Sequence, residues 1–209
     1  MRNYLAAIAF LLLLGACSSS KLVDQYANPE TSNFRANKIL VIGLTPDGGM
    51  QKQFEYTLAK ALTDRNISAV RSVDFFESRG GFIEPTAAEW QNLESELMEA
   101  GFDAVLFSKS LGAQSKISLA QAYRNMATTF ESFSEYFYLN RQSTRSAQSE
   151  EYEVFKTETS LYCLCPGAEH DLIWRGEIDI VDPVNVDKTI QDYVKTLVKT
   201  LKRNKLLFP

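Results

Sequence analysis

The first half of the chain alternates between short apolar runs and amphipathic stretches. Lys38–Leu44 is apolar on both faces of an extended chain, which is typical of a central strand covered by helices. The predicted order is a strand over Lys38–Leu44, a helix opened by the turn at 46–49 and ended near Asn66, a strand over Ile67–Val73, a helix from the capping box at Thr86 to Gly101, and a strand over Phe102–Ser108. This order predicts a parallel sheet with right-handed crossovers.

The second half changes to a period of two. Residues 113–119, 155–163 and 172–180 alternate between apolar and polar side chains, and the turn Pro166–His170 joins the last two as an antiparallel hairpin. A final helix places Ile190, Val194, Leu197, Val198 and Leu201 on one stripe. The predicted fold is therefore α/β with α+β character in its second half. A βαβαβ parallel core is continued by antiparallel strands and a C-terminal helix, in two or three layers.

The amino-terminal segment has the layout of an export signal. Arg2 precedes the apolar run Tyr4–Leu14, which is about half of the roughly 20 residues that a membrane-spanning helix needs. Leu14-Gly15-Ala16-Cys17 resembles the lipobox of bacterial lipoproteins, in which cleavage before the Cys is accompanied by attachment of lipid to its sulfur. The alternative is an ordinary secretory signal with an accidental Cys. Ser18 after the Cys, by the same resemblance, favours transfer to the outer membrane.

These features divide the chain into four parts. We expect a signal peptide over 1–16, a lipidated Cys17 with a polar tether over 17–37, and one α/β domain over 38–209 that contains a long aromatic and polar insertion at 121–149. The insertion either packs its aromatic side chains on the sheet or presents them to a partner protein. The candidate partner-binding residues are Phe130, Phe133, Tyr136, Tyr138, Arg141 and Arg145.

Composition excludes some function classes. The 209 residues carry a formal net charge of -4, which argues against a nucleic-acid partner. The single histidine, His170, leaves few options for a general base or a metal ligand. No serine lies in a Gly-x-Ser-x-Gly nucleophile elbow. The Gly43–Gly49 turn also lacks the glycine spacing of a dinucleotide-binding loop and the Lys-Ser/Thr of a P-loop. We therefore expect no catalytic residue, no metal and no cofactor other than the covalent lipid on Cys17.

Cys163 and Cys165 are separated by one residue on a predicted strand. Three interpretations are open, in this order: two small buried apolar side chains, a disulfide in an oxidising compartment, and a metal site shared with His170. A disulfide between two molecules is also open.

Several short motifs carry a family resemblance. They are Val41-Ile42-Gly43-Leu44, Gln53-Phe54-Glu55, Gly101-Phe102-Asp103-Ala104-Val105-Leu106, Leu161-Tyr162, Trp174-Arg175-Gly176 and Asp182-Pro183. With them, the chain from Lys38 to Leu207 resembles a group of short bacterial lipoproteins. Their architecture is similar to that of lipoproteins that activate cell-wall synthases or form curli-type secretion channels, and to the amino-terminal domain of the periplasmic Tol protein. The resemblance implies protein contacts, and no catalytic residue is carried over from it.

The expected function is that of an outer-membrane lipoprotein that faces the periplasm, is held by fatty acyl chains such as palmitate, and binds another envelope protein. Retention at the inner membrane and display at the cell surface are alternative locations. The oligomeric state is not predicted. Two other functions are open: an oligomeric secretion or pore component, and a cell-wall hydrolase with a cleft of convergent carboxylates or His170.

Overall fold

In a computed structural model of the chain, residues 20–31, 33–45, 47–78, 87–112, 154–165, 172–181 and 185–208 are described. The strands are β1 (Ser20–Ala27), β2 (Lys38–Leu44), β3 (Ser68–Arg71), β4 (Ala104–Gly112), β5 (Val154–Cys163) and β6 (Leu172–Val181), and the helices are α1 (Gly48–Thr63), α2 (Ser72–Glu77), α3 (Ala87–Glu99) and α4 (Val186–Arg203). A short 3-10 turn covers Pro29–Thr31. The six strands form one sheet in the order β1-β6-β5-β4-β2-β3.

The parallel half of the sheet follows the predicted βαβαβ order. Strand β2 lies between β3 and β4 and is parallel to both, with Ile39 opposite Ala69 on one side and Ala104 on the other. Helix α1 begins after Asp47, whose carboxylate accepts a hydrogen bond from the backbone N–H of Met50. The apolar residues of β2 are buried on both faces of the sheet, as the sequence predicts.

The other half of the sheet is antiparallel. Strand β5 pairs with β4 on one side and with β6 on the other, and Leu161 lies opposite Leu106 and Trp174. Since Trp174 is fully buried at this point, it serves as the core anchor that the alternating pattern predicts. The predicted turn at 166–170 and the predicted strand at 113–119 lie outside the described residues.

Helices cover the sheet on both faces, which makes three layers. One core joins the sheet to α1 and α4 through Leu58, Leu62 and Leu197. The core on the opposite face includes Phe75 of α2 and Leu97 of α3. The α/β fold class is confirmed, and of the two layer counts expected it is the three-layer one that forms.

The structure differs from the sequence prediction at the amino-terminal side. Residues Ser20–Ala27, expected to form part of a tether, are strand β1 on the edge of the sheet, antiparallel to β6. The segment after β1 also contacts the domain, because the backbone carbonyl of Phe34 accepts a hydrogen bond from the backbone N–H of Leu207 at 2.9 Å. The polar side chains of β1 are compatible with a strand because an edge strand exposes most of its residues.

A second difference follows β3. The predicted strand at Ile67–Val73 ends at Arg71, and α2 begins at Ser72. The carboxylate of Glu55 accepts hydrogen bonds from the Ser72 hydroxyl at 2.7 Å and from the Val73 backbone N–H at 3.1 Å. A buried acceptor at this point satisfies donors of the first helical turn, so the chain turns into a helix where the apolar pattern alone predicts a continued strand.

Candidate functional site

A cavity of about 260 Å³ lies where the parallel strands β2 and β4 end and where helices α1 and α4 begin. Ligand sites in open α/β sheets commonly occur beyond the carboxyl ends of parallel strands. Its lining consists of Gly43, Leu44, Thr45, Met50, Phe54, Ser108, Lys109, Ser110, Phe155, Thr157, Ile180, Val186, Thr189, Ile190 and Tyr193.

The side walls of the cavity come from the first turns of two helices. Met50 and Phe54 belong to α1, while Val186 and Ile190 belong to α4. Met50 and Val186 are exposed, whereas Phe54 and Ile190 are buried, so the apolar surface runs from the mouth into the core. Phe54 also packs against Tyr193, with the ring centroids 5.7 Å apart, which closes the inner end of this wall.

A group of hydroxyl side chains lies at the sheet side of the cavity. Ser108 Oγ and Thr159 Oγ1 share a hydrogen bond of 2.7 Å, and the Tyr193 hydroxyl is bonded to both of these residues. Thr157 Oγ1 donates to the Ile178 carbonyl at 2.7 Å. Because these hydroxyls bond to one another and to the backbone, the lining presents mainly carbon to a ligand. Burial raises the pKa of Tyr193 above its usual value.

Strand β1 begins beside this cavity. Ser20 lies opposite the cavity-lining Ile180 in the sheet. Its hydroxyl bonds to the Asp192 carbonyl and to Thr196 Oγ1, both at 2.7 Å, and both partners belong to α4. Cys17, the predicted lipid attachment site, comes only three residues earlier in the chain.

The opposite face of the sheet contains a buried group of charges, one of which, Lys109, also contributes to the lining of the cavity. Lys109 Nζ is 3.2 Å from Glu158 Oε1, and Arg175 Nε is 4.0 Å from the same oxygen and 3.3 Å from Ser160 Oγ. The side chains of Lys109, Glu158 and Arg175 are all buried. Burial lowers the pKa of Lys109, although the neighbouring Glu158 opposes that shift.

A second ion pair continues this charged group toward the edge of the sheet. Lys156 Nζ is 2.7 Å from Glu177 Oε1 and 3.6 Å from Asp179 Oδ1. Partial burial acts to lower the pKa of Lys156, but the two carboxylates outweigh it and the pKa is raised. The sequence analysis did not single out these charges. Charged side chains recur at every second position, 156 and 158 in β5 and 175, 177 and 179 in β6, and this spacing is the sequence signal that could have identified them.

All six residues predicted to bind a partner lie outside the described ranges. This holds for Phe130, Phe133, Tyr136, Tyr138, Arg141 and Arg145, and also for Cys17 and His170. Cys163 and Cys165 are described, and the structure joins them in a disulfide, with their Cα atoms 5.3 Å apart. Cys163 is buried and Cys165 is partly buried at the end of β5.

Two features are absent from the described residues: a cluster of metal-binding side chains and a membrane-spanning helix. Within these ranges, no group of three or more His, Cys, Asp or Glu side chains could hold a metal ion. Likewise, no helix in the part of the chain that the structure describes is long and apolar enough to cross a membrane.

The sequence analysis also missed the role of Glu55. This carboxylate is fully buried and accepts hydrogen bonds from the backbone N–H of Gly43 and the side chain of Gln51, in addition to those from α2. Glu55 shares a helical face with Leu58 and Leu62, so a charge on an apolar stripe was the available signal. The Gly43–Gly49 turn is thus tied to Glu55 and to the N-cap of α1.

Comparisons with known proteins give structural likenesses at low identity. No protein-family model matches the chain, and no curated protein matches it in sequence. The PelC dodecamer from Paraburkholderia phytofirmans is similar over 90% of this chain and 98% of that chain, with 12% identity and a TM-score of 0.43. Lipoprotein GNA1162 from Neisseria meningitidis is similar over 79% of this chain and 98% of that chain, with 15% identity and a TM-score of 0.41. With TM-scores below 0.5, these likenesses carry no argument about function.

Proposed function

We propose that this chain is a non-enzymatic lipoprotein of the outer membrane that faces the periplasm and binds another envelope component. The lipobox ending at Cys17 supplies the anchor in this proposal, and the folded α/β domain supplies the binding surface. The observation that carries the proposal is the position of Ser20, which is fixed in the sheet and on α4 three residues after the Cys.

This position decides how the domain would sit at a membrane. A tether over 17–37 would let the domain move some tens of ångströms from the bilayer. With β1 in the sheet, only residues 18 and 19 separate Cys17 from the fold, so the attachment point reaches at most about 10 Å from Ser20. The lipid would therefore hold the domain directly against the surface, which raises its effective concentration toward membrane partners.

The absence of enzymatic activity is also part of the proposal. The cavity lining is mainly apolar, and its hydroxyls are bonded within the protein. The charges on the opposite face, such as Glu158 and Lys109, are buried in ion pairs. Both arrangements favour a structural or binding role over proton transfer to a substrate.

A fluorescence experiment tests the close attachment. The lipidated protein, labelled at a Cys substituted for the exposed Tyr26, is placed in vesicles that contain an acceptor dye on the lipid headgroups. We expect strong energy transfer, which decreases when ten Gly and Ser residues are inserted after Ser19. Equal transfer with and without the insertion would contradict the proposal, as would a mass spectrum that shows no lipid on the Cys17 peptide.

The aromatic segment 121–149 is our proposed partner surface, on the sequence argument alone. Cross-linking in intact cells compares the wild type with Phe133→Ala and Tyr136→Ala. We expect loss of one cross-linked partner in both variants, while the matched substitution Tyr56→Ala on the exposed side of α1 retains it. An unchanged set of partners in all three would assign the contact to another surface.

A further inference from the structure

We propose that the cavity between α1 and α4 holds one acyl chain of the lipid attached to Cys17 of the same molecule. The inference rests on the proposed lipid anchor and adds a binding site for part of it.

The chemistry of the cavity favours an alkyl chain. Its walls include Leu44, Met50, Phe54, Phe155 and Ile180, all of which present carbon. Polar ligands would have to displace hydrogen bonds that the protein already makes, since the hydroxyls at the sheet side are bonded among themselves. An unbranched hydrocarbon needs no hydrogen-bond partner and suits such a lining.

The size of the cavity fits one chain rather than two. Its volume is about 260 Å³. If a methylene group fills about as much space as a water molecule in the liquid, ~30 Å³, there is room for roughly eight or nine of them. Half of a long fatty acyl chain would thus be enclosed, and the rest would leave through the mouth between Met50 and Val186.

The position of Ser20 brings the proposed lipid attachment site close to the cavity. Ser20 is opposite Ile180, a cavity residue, at the end of the sheet where β6 approaches α4. The three residues from Ser20 back to Cys17 span about 10 Å when extended, so the sulfur stays within that distance of Ser20 and of the end of the sheet that borders the cavity. Since β1 runs away from this end of the sheet, its first residue, Ser20, lies at the cavity end.

Covalent attachment selects this chain over others. An alkyl chain that moves from a bilayer into an apolar cavity stays away from water in both places, so burial alone gives little preference. A chain tethered within about 10 Å of Ser20, which lies opposite the cavity-lining Ile180, has a high effective concentration at the cavity, and it loses less freedom on entry than an independent lipid does.

A photo-cross-linking experiment on the intact lipoprotein tests this assignment. Cells grow with a fatty acid that carries a photoreactive group near its end, and the purified protein is digested after irradiation. We expect adducts that join the Cys17 peptide to peptides of the cavity, such as those that contain Met50 or Ile190. In Val186→Glu, a charge at the mouth should lower the yield of these adducts at least tenfold.

The chain offers a closely matched control for that variant. Val23 on β1 has the same exposed fraction as Val186, 45%, but does not line the cavity. Val23→Glu should therefore retain the adducts, and circular dichroism of both variants should match the wild type. Met50→Glu provides a second change at the mouth with the same expected loss.

Each other outcome has a definite meaning. Adducts of cavity peptides with phospholipid instead of the Cys17 peptide would overturn the proposal in favour of a bilayer lipid as the occupant. A Cys17 peptide that carries lipid but forms no cavity adduct would overturn the cavity assignment and leave the proposed anchor intact. A Cys17 peptide without lipid would overturn both.

Discussion

The carboxylate of Glu55 accepts a hydrogen bond of 2.9 Å from the backbone N–H of Gly43, which joins the middle of helix α1 to the end of strand β2. The same side chain accepts from Ser72 and Val73, so one buried acid fixes the start of α2 as well. Because Gly43, Leu44 and Thr45 line the cavity, the hydrogen bond from Gly43 to Glu55 helps to position this part of the cavity wall.

We expect Glu55→Ala to lower the free energy of unfolding by about 3 kcal/mol, because several donors lose their acceptor while a buried cavity opens. Glu55→Gln keeps one acceptor oxygen and should cost less. Chemical denaturation measures both. Glu77→Ala is the control, since this exposed side chain belongs to a surface ion pair with Lys52 at 3.5 Å and its removal should change stability by less than about 0.5 kcal/mol. Equal effects at the two positions would contradict the assigned role.

Tyr162 and Tyr193, which are buried in the described part of the chain, predict a loss of stability at high pH. Burial raises the pKa of Tyr162 and Tyr193 above the ordinary value of 10.0. Below that pH both states keep the phenol proton. Above it the unfolded chain releases the proton and the folded protein retains it, so the free energy of unfolding falls by up to about 1.4 kcal/mol per pH unit for each group.

The measurement compares denaturation of the wild type and Tyr193→Phe between pH 8 and pH 11. The variant should lose stability less steeply above pH 10, and Ser108 and Thr159 still bond to each other in it. Lys109 acts in the opposite direction, since a lowered pKa adds stability as the pH rises toward 10.5, but this contribution is common to both proteins and cancels. Parallel curves for the two proteins would refute the prediction.

The buried charges on the second face should be strongly coupled. In Glu158→Gln, Lys109 and Arg175 lose the carboxylate that they share, and we expect a loss of about 3 kcal/mol. The double variant Lys109→Met/Glu158→Gln should lose less than the sum of the two single changes. A cycle on the exposed pair Lys60 and Asp64 serves as the comparison and should give a coupling below about 0.5 kcal/mol. Additive effects at the buried pair would show that it contributes no specific coupling.

Gly176 on β6 is required by the packing of Trp174. A Cβ atom at Gly176 would lie 2.3 Å from two atoms of the indole ring, which is fully buried in the core that the sheet shares with α1 and α4. We expect Gly176→Ala to lower the free energy of unfolding by about 2 kcal/mol, because the ring must shift in a filled core. The thermal midpoint should therefore fall. In Gly48→Ala the new Cβ meets nothing within 4 Å, so this variant should unfold at or slightly above the wild-type temperature. A Gly176→Ala protein as stable as wild type would show that the indole ring of Trp174 does not occupy this position.

The sequence predicted those parts of the fold in which apolar residues are regularly spaced. The run from Lys38 to Leu44 and the stripe of α4 each became the predicted element, because burial of such a pattern has one favourable geometry. The left-handed Asn66, φ 65°, and Gly101, φ 78°, lie where helices were expected to end.

The remaining features depend on contacts between distant residues. Strand β1 has a polar sequence, and only its pairing with β6 makes it a strand. The helix at Ser72 depends on Glu55, seventeen positions earlier. The cavity is formed by α1, α4 and four strands together, so no single segment carries a signal for it. Neither the propensities of neighbouring residues nor the spacing of apolar positions predicts contacts between residues that are distant in the sequence.

The pairing of β1 with β6 also governs the order in which the molecule matures. Ser20 and its partner Asp192 are 172 positions apart, so β1 cannot make this contact until almost all of the polypeptide has been synthesised. In the lipoprotein that we propose, the segment after Cys17 would stay accessible to lipid-attaching enzymes until then. The docking of α4 would end that access and set the final distance between the folded domain and the proposed anchor.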